Sequence, residues 1–101
     1  MRYISTRGTA PVLDFENTLL AGLARDKGLY VPEVWPRFSK SEIEQLSHLS
    51  YSDLAVEVMM PFVDSSITRK ELNYLVQESY SRFDHKSVTP LRKISENEFL
   101  L

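Results

Sequence analysis

His48 and His85 are the only imidazoles in the chain, and imidazole is the side chain best suited to proton transfer near neutral pH or to zinc binding. Neither has a second histidine or a carboxylate at ligand spacing, apart from Asp84 beside His85, and sequence neighbours usually point apart. His85 is read as solvated or locally bonded. With no cysteine, thiolate metal sites, a cysteine nucleophile and disulfides are all excluded. The serines, Ser5 and Ser47 among them, have no histidine placed to activate them. Gly8, Gly22 and Gly28 are too scattered for a phosphate-cradling loop. Arg7-Gly8 is the one pair with binding chemistry, because a guanidinium beside an exposed backbone turn can hold an anion. A solvated turn or an interdomain ion pair explains the same residues. On the residues alone, no catalytic, cofactor-binding or metal-ligating position is assigned.

The elements that would carry these groups are easier to read. Residues 2–6 are rich in β-branched and aromatic types and are broken by Arg7-Gly8. Pro11 keeps the next stretch extended. Asp14 is placed to cap a helix, and Phe15, Leu19, Leu20 and Leu23 follow at helical spacing, with Asp26-Lys27-Gly28 as its stop. On this reading Gly22 lies inside the helix, where close approach of a neighbouring element would explain a residue that costs about 1 kcal/mol relative to alanine. Trp35, between Pro32 and Pro36, is read as a lid over the edge of the core.

Three more helices carry their own start signals. Ser39 with Glu42, and Thr68 with Glu71, have capping-box spacing, and Ser50 with Asp53 is a shorter variant. The stripe Tyr51, Leu54, Ala55, Val58, Met59, Phe62 and Val63 is the cleanest apolar face, with Pro61 expected to end or kink its helix. Asp64-Ser65-Ser66 reads as a polar connection. The pattern predicts helices near 14–26, 40–48, 51–61 and 69–82, packed on a small mixed sheet from residues 2–6, 29–31 and 91–94, with 98–101 as a further candidate strand. The expected fold class is α+β, a helix-rich small domain spanning 1–101.

The chain's 101 residues are 43% hydrophobic with net charge −2 and pI near 5.6. That supports one globular unit and disfavours a nucleic-acid binder, a helix-turn-helix included, which would need a basic face. There is no apolar run of the roughly 20 residues needed to span a bilayer and no signal-peptide pattern. A cytoplasmic protein is the default expectation. The final Phe99, Leu100 and Leu101 are apolar where free ends tend to be polar, so the expectation is a fragment cut within a strand. A free-standing interaction domain is the rival.

Arg2-Tyr3-x-Ser5-Thr6-Arg7-Gly8 and Leu20-Ala21-Gly22-Leu23-Ala24-x-Asp26-x-Gly28-Leu29-Tyr30-Val31-Pro32-Glu33, in that order and separation, resemble the N-terminal domain of the threonine synthase family. Ser50-Tyr51, Leu54-Ala55, Pro61-Phe62, Tyr80-x-x-Phe83-x-His85 and Thr89-Pro90-Leu91 extend the likeness along the chain. The sequence departs from the family pattern at Lys27, where a second glycine is common, at Asp64-Ser65, where a glycine-containing turn is usual, and at Lys86, where proline is frequent.

The resemblance implies a longer pyridoxal-phosphate enzyme of fold type II, a lyase of threonine biosynthesis that converts O-phospho-L-homoserine and water to L-threonine and phosphate. A threonine-synthase-like phospho-lyase releasing 2-oxobutyrate from the same substrate is the alternative. The cofactor lysine of the family lies in a motif this chain lacks. Lysines 27, 40, 70, 86 and 93 match no catalytic position, so none is carried over. The implied partner is the protein's own C-terminal catalytic domain, against which this domain would form part of the wall or lid of the substrate cleft. Alone it is expected to be inactive and to bind no cofactor.

Overall fold

A computed structural model describes residues 1–63 and 66–101. The element order is β1 (Tyr3–Ser5), α1 (Phe15–Ala21), β2 (Tyr30–Pro32), α2 (Lys40–Leu46), α3 (Tyr51–Val63), α4 (Arg69–Tyr80), β3 (Arg92–Lys93) and β4 (Phe99–Leu100). The α+β class and the four described helices agree with the sequence reading. The single mixed sheet does not.

The strands form two separate antiparallel pairs. β1 pairs with β2, Tyr3 opposite Pro32 and Ser5 opposite Tyr30, while β3 pairs with β4 as an exposed hairpin. β1 itself offers β3 and β4 no edge, because both of its edges are used. Its second edge exchanges hydrogen bonds with Leu13, Tyr3 N to Leu13 O at 2.8 Å and Leu13 N to Tyr3 O at 3.1 Å.

α1 is shorter than the expected 14–26. Asp14 caps it as predicted, accepting from Asn17 N at 2.8 Å. The helix stops at Ala21 because Gly22 takes φ +66° as its C-terminal cap, with its N–H still on Thr18 O. Gly22 is therefore not a helix-interior glycine, and no neighbour lies within 4 Å of where its Cβ would stand. Its use is the left-handed backbone, which costs glycine little.

The other start signals hold. Ser39 and Thr68 each complete a capping box with Glu42 and Glu71, and Ser50 Oγ accepts from Asp53 N at 3.2 Å. α3 runs to Val63, two residues past Pro61. A proline this close to a helix end forfeits only one late backbone bond, and continuing the turn delivers Val63 to the core. Asp64 and Ser65 of the predicted polar connection lie outside the described residues.

The core sits between α3 and α4. Val56, Val63, Leu72 and Val76 are buried together, with Phe15, Ala55, Met59, Met60, Ile67 and Tyr80 packed against them. Burying such side chains contributes roughly 1.5–3 kcal/mol each. α1 reaches this core through Phe15, whose ring lies 6.3 Å from that of Tyr3. Tyr3 OH donates to Phe62 O at 2.8 Å, tying β1 to α3. Trp35 is 61% exposed but stands edge-on to Phe62 at 6.3 Å, as a cover over the core's margin would.

Candidate functional site

The two motifs that made the sequence specific meet in space. β1 ends at Ser5, and a turn closed by Gly8 N to Ser5 O at 3.0 Å reverses the chain, with Gly8 at φ +76°. The turn after α1 then brings Asp26 back to it. One carboxylate then collects five donors. Oδ1 accepts from Ser5 Oγ at 2.7 Å and Gly28 N at 3.0 Å. Oδ2 accepts from Thr9 N and Thr9 Oγ1, both at 3.1 Å, and from Ala10 N at 3.0 Å.

Around this centre the backbone is laced further. Ser5 Oγ also accepts from Arg7 N, and Thr6 Oγ1 accepts from Leu29 N. Thr6 N donates to Leu29 O, and Tyr30 OH to Pro11 O. Ser5 is buried although polar, which is tolerable because its hydroxyl is fully engaged.

The electrostatics follow from the donors. The Ser5 hydroxyl, with the Gly28 and Thr9 groups behind it, holds the Asp26 carboxyl well below the usual carboxylate range. Hydrogen bonds to the charged form stabilise that form. Such a group is a poor base, so Asp26 is an anchor and not a proton shuttle.

Gly28 is needed here for space, not for φ. A Cβ on it would stand 2.2 Å from Ser5 Oγ and 3.0 Å from Asp26 Oδ1. It does not supply the positive-φ helix stop expected of it. Lys27 is the residue in the left-handed region, at φ +64°. The position where glycine is common in the family pattern thus does require positive φ, and the lysine accepts some strain there.

The other candidates do not gather at this site. His85 is locally bonded, its Nδ1 accepting from Ser87 N at 3.1 Å, in line with the sequence reading. His48 is exposed in the segment after α2. Among the described residues no cluster of three His, Asp or Glu side chains is placed to hold a metal ion. Arg7 projects from the exposed turn, and no carboxylate among the described residues pairs with it. Sequence reasoning missed the role of Asp26, which it treated as part of a helix stop. The available signal was the D-x-G of residues 26–28, one helix downstream of the S-T-R-G turn of residues 5–8.

This geometry has counterparts. The family described as "Threonine synthase N terminus" matches residues 2–80. The chain belongs to the threonine synthase N-terminal family. It is 52% identical over its full length to a threonine synthase of Pseudomonas aeruginosa, of which it covers 22%, and 44% identical over 95 residues to a threonine synthase-like 2 protein of Rattus norvegicus, of which it covers 20%. Among solved structures it is similar to a pyridoxal-phosphate-bound threonine synthase of Brucella melitensis, with 45% identity and a TM-score of 0.90 over 99% of this chain and 22% of that one. The chain thus spans about a fifth of the length of the relatives it matches. Among its described residues, no helix is long and apolar enough to cross a membrane.

Proposed function

We propose that this chain is the N-terminal domain, residues 1–101, of a cytoplasmic threonine synthase, a lyase of threonine biosynthesis that converts O-phospho-L-homoserine and water to L-threonine and phosphate. The observation that carries the reading is the Asp26 turn. The two motifs it ties together are those of the threonine synthase family, in a fold that superposes on a threonine synthase at TM-score 0.90.

Pyridoxal phosphate would supply the electron sink in the longer enzyme, and it is bound to the Brucella relative. The residues of this chain do not fit the group. A lysine that holds it by Schiff base works from a desolvated pocket, and lysines 27, 40, 70, 86 and 93 are all exposed. The cofactor, the substrate and the chemistry belong to the C-terminal catalytic domain. This domain's part is to pack on that unit and form a section of the wall or lid of the cleft, since pockets often form where domains meet. Alone it has no activity.

A second reading is kept by the 44% identity to a threonine synthase-like 2 protein, namely a phospho-lyase forming 2-oxobutyrate from the same substrate. The test is the full-length enzyme with O-phospho-L-homoserine, scored for L-threonine, 2-oxobutyrate and phosphate. Threonine with phosphate is expected. Predominant 2-oxobutyrate selects the phospho-lyase, and release of neither overturns both. Deleting residues 1–90 is expected to lower turnover and stability together, and an unchanged truncated enzyme removes the wall-or-lid role.

A further inference from the structure

Arg7-Gly8 carries anion-binding chemistry that the fold leaves unused. The N–H groups of its turn are all committed. Arg7 N donates to Ser5 Oγ at 3.1 Å and Gly8 N to Ser5 O at 3.0 Å, while Thr9 N and Ala10 N are held by Asp26 Oδ2. No N–H of residues 7–10 is left to cradle an anion, so the guanidinium is the available donor. What these bonds provide is a fixed base for that side chain, and a preorganised fork gives up less freedom on binding.

The turn that Asp26 joins to this one adds two more cations, Arg25 and Lys27. All three cations are exposed, and the described ion pairs, Arg2–Glu33, Arg69–Glu57 and Arg82–Glu78, include none of them. Asp26 is the only acid in residues 5–10 and 25–28, and its oxygens are taken by five neutral donors. The two turns therefore carry three cations against one carboxylate, a net +2, whereas the rest of the chain carries nine against thirteen, a net −4. Positive charge gathered in this way on an acidic protein raises the local concentration of anions. Lys27 also sits at φ +64°, so a cation stands where glycine would be relaxed, and strain of this kind is often kept for function.

We propose that these paired turns form a phosphate-binding site, in which Arg7 takes the anion through its planar fork and Arg25 and Lys27 supply the surrounding field. The choice of phosphate rests on the reading of the longer protein as an enzyme of O-phospho-L-homoserine, whose substrate carries a phosphate ester and whose reaction releases inorganic phosphate. Both present the same oxygens to a guanidinium.

The test is Arg7→Gln in the full-length enzyme, titrated with inorganic phosphate by calorimetry and assayed for its KM for O-phospho-L-homoserine. Phosphate affinity is expected to fall roughly tenfold or more. Arg25→Gln combined with Lys27→Gln should lower it less, by an amount that fades as salt is raised. A KM that rises with the loss of phosphate affinity assigns the site to the substrate's ester, and an unchanged KM assigns it to free phosphate. Unaltered phosphate affinity in Arg7→Gln overturns the proposal; a thermal midpoint that falls at the same time would mark Arg7 as half of an ion pair to another part of the polypeptide. Wild-type enzyme that binds phosphate through Arg7 but does not turn over O-phospho-L-homoserine keeps the site and sinks the catalytic reading, so the two fail separately.

Discussion

Around Asp26, five hydrogen-bond donors converge on one carboxylate while the buried side chains nearby are few and small, Ser5 and Ala24 among them. Between α3 and α4 the balance is reversed. Val56, Val63, Leu72 and Val76 close over one another, and the main polar link, the Arg69–Glu57 ion pair, lies exposed at the side. The first region fixes turn geometry and depends on charge. The second supplies cohesion and is indifferent to pH. A small domain with one modest core can still hold irregular loops in place, provided their backbone donors share a strong acceptor.

The widest gap between the regions should come from the core. Leu72→Ala is expected to cost about 2–5 kcal/mol, read as a lower thermal or urea midpoint, by about the same amount at pH 4 and pH 7. A markedly pH-dependent loss would erase the contrast.

Asp26→Asn comes next. Asparagine keeps one acceptor and turns an NH₂ group toward donors it cannot accept from, so the midpoint should fall at neutral pH. The sign of the pH effect follows from the depressed carboxyl pKa. The folded state holds the ionised form, so its stabilisation is complete above the ordinary aspartate range and is lost as pH falls through that range and below. Wild type should therefore lose more stability than the variant between about pH 5 and pH 2. Parallel profiles would show that Asp26 is not the acid-sensitive centre.

The smallest effect is assigned to Ser39→Ala. Loss of this cap should raise amide exchange within α2 by about 1 kcal/mol of local opening, with the global midpoint nearly unchanged, because α2 buries no residue. A global shift of that size would mean that α2 is coupled to the core after all.

Much of the scaffold was legible in the chain because its signals are local. Caps at Asp14, Ser39 and Thr68 need only the next three residues to act, and the α3 stripe needs only its own period. Errors arose where the deciding partner was remote. Gly22 and Lys27 take positive φ and Gly28 does not, which depends on how the turn meets Ser5. Leu19, Leu20 and Leu23 have the spacing of a core face, yet only Phe15 finds the core. Periodicity says that a face is apolar, not what covers it.

By itself, the sequence determined the helices, their starts, the α+β class and the family, since each rests on residue types at short separations or on an ordered pair of motifs. Tertiary structure alone decided that β1 has no free edge for a third and fourth strand, and that Asp26 ties residues 5–10 to the turn before β2. Both are contacts between segments far apart in the chain. A carboxylate's partners, like a strand's neighbours, are chosen by the fold that brings them within bonding distance.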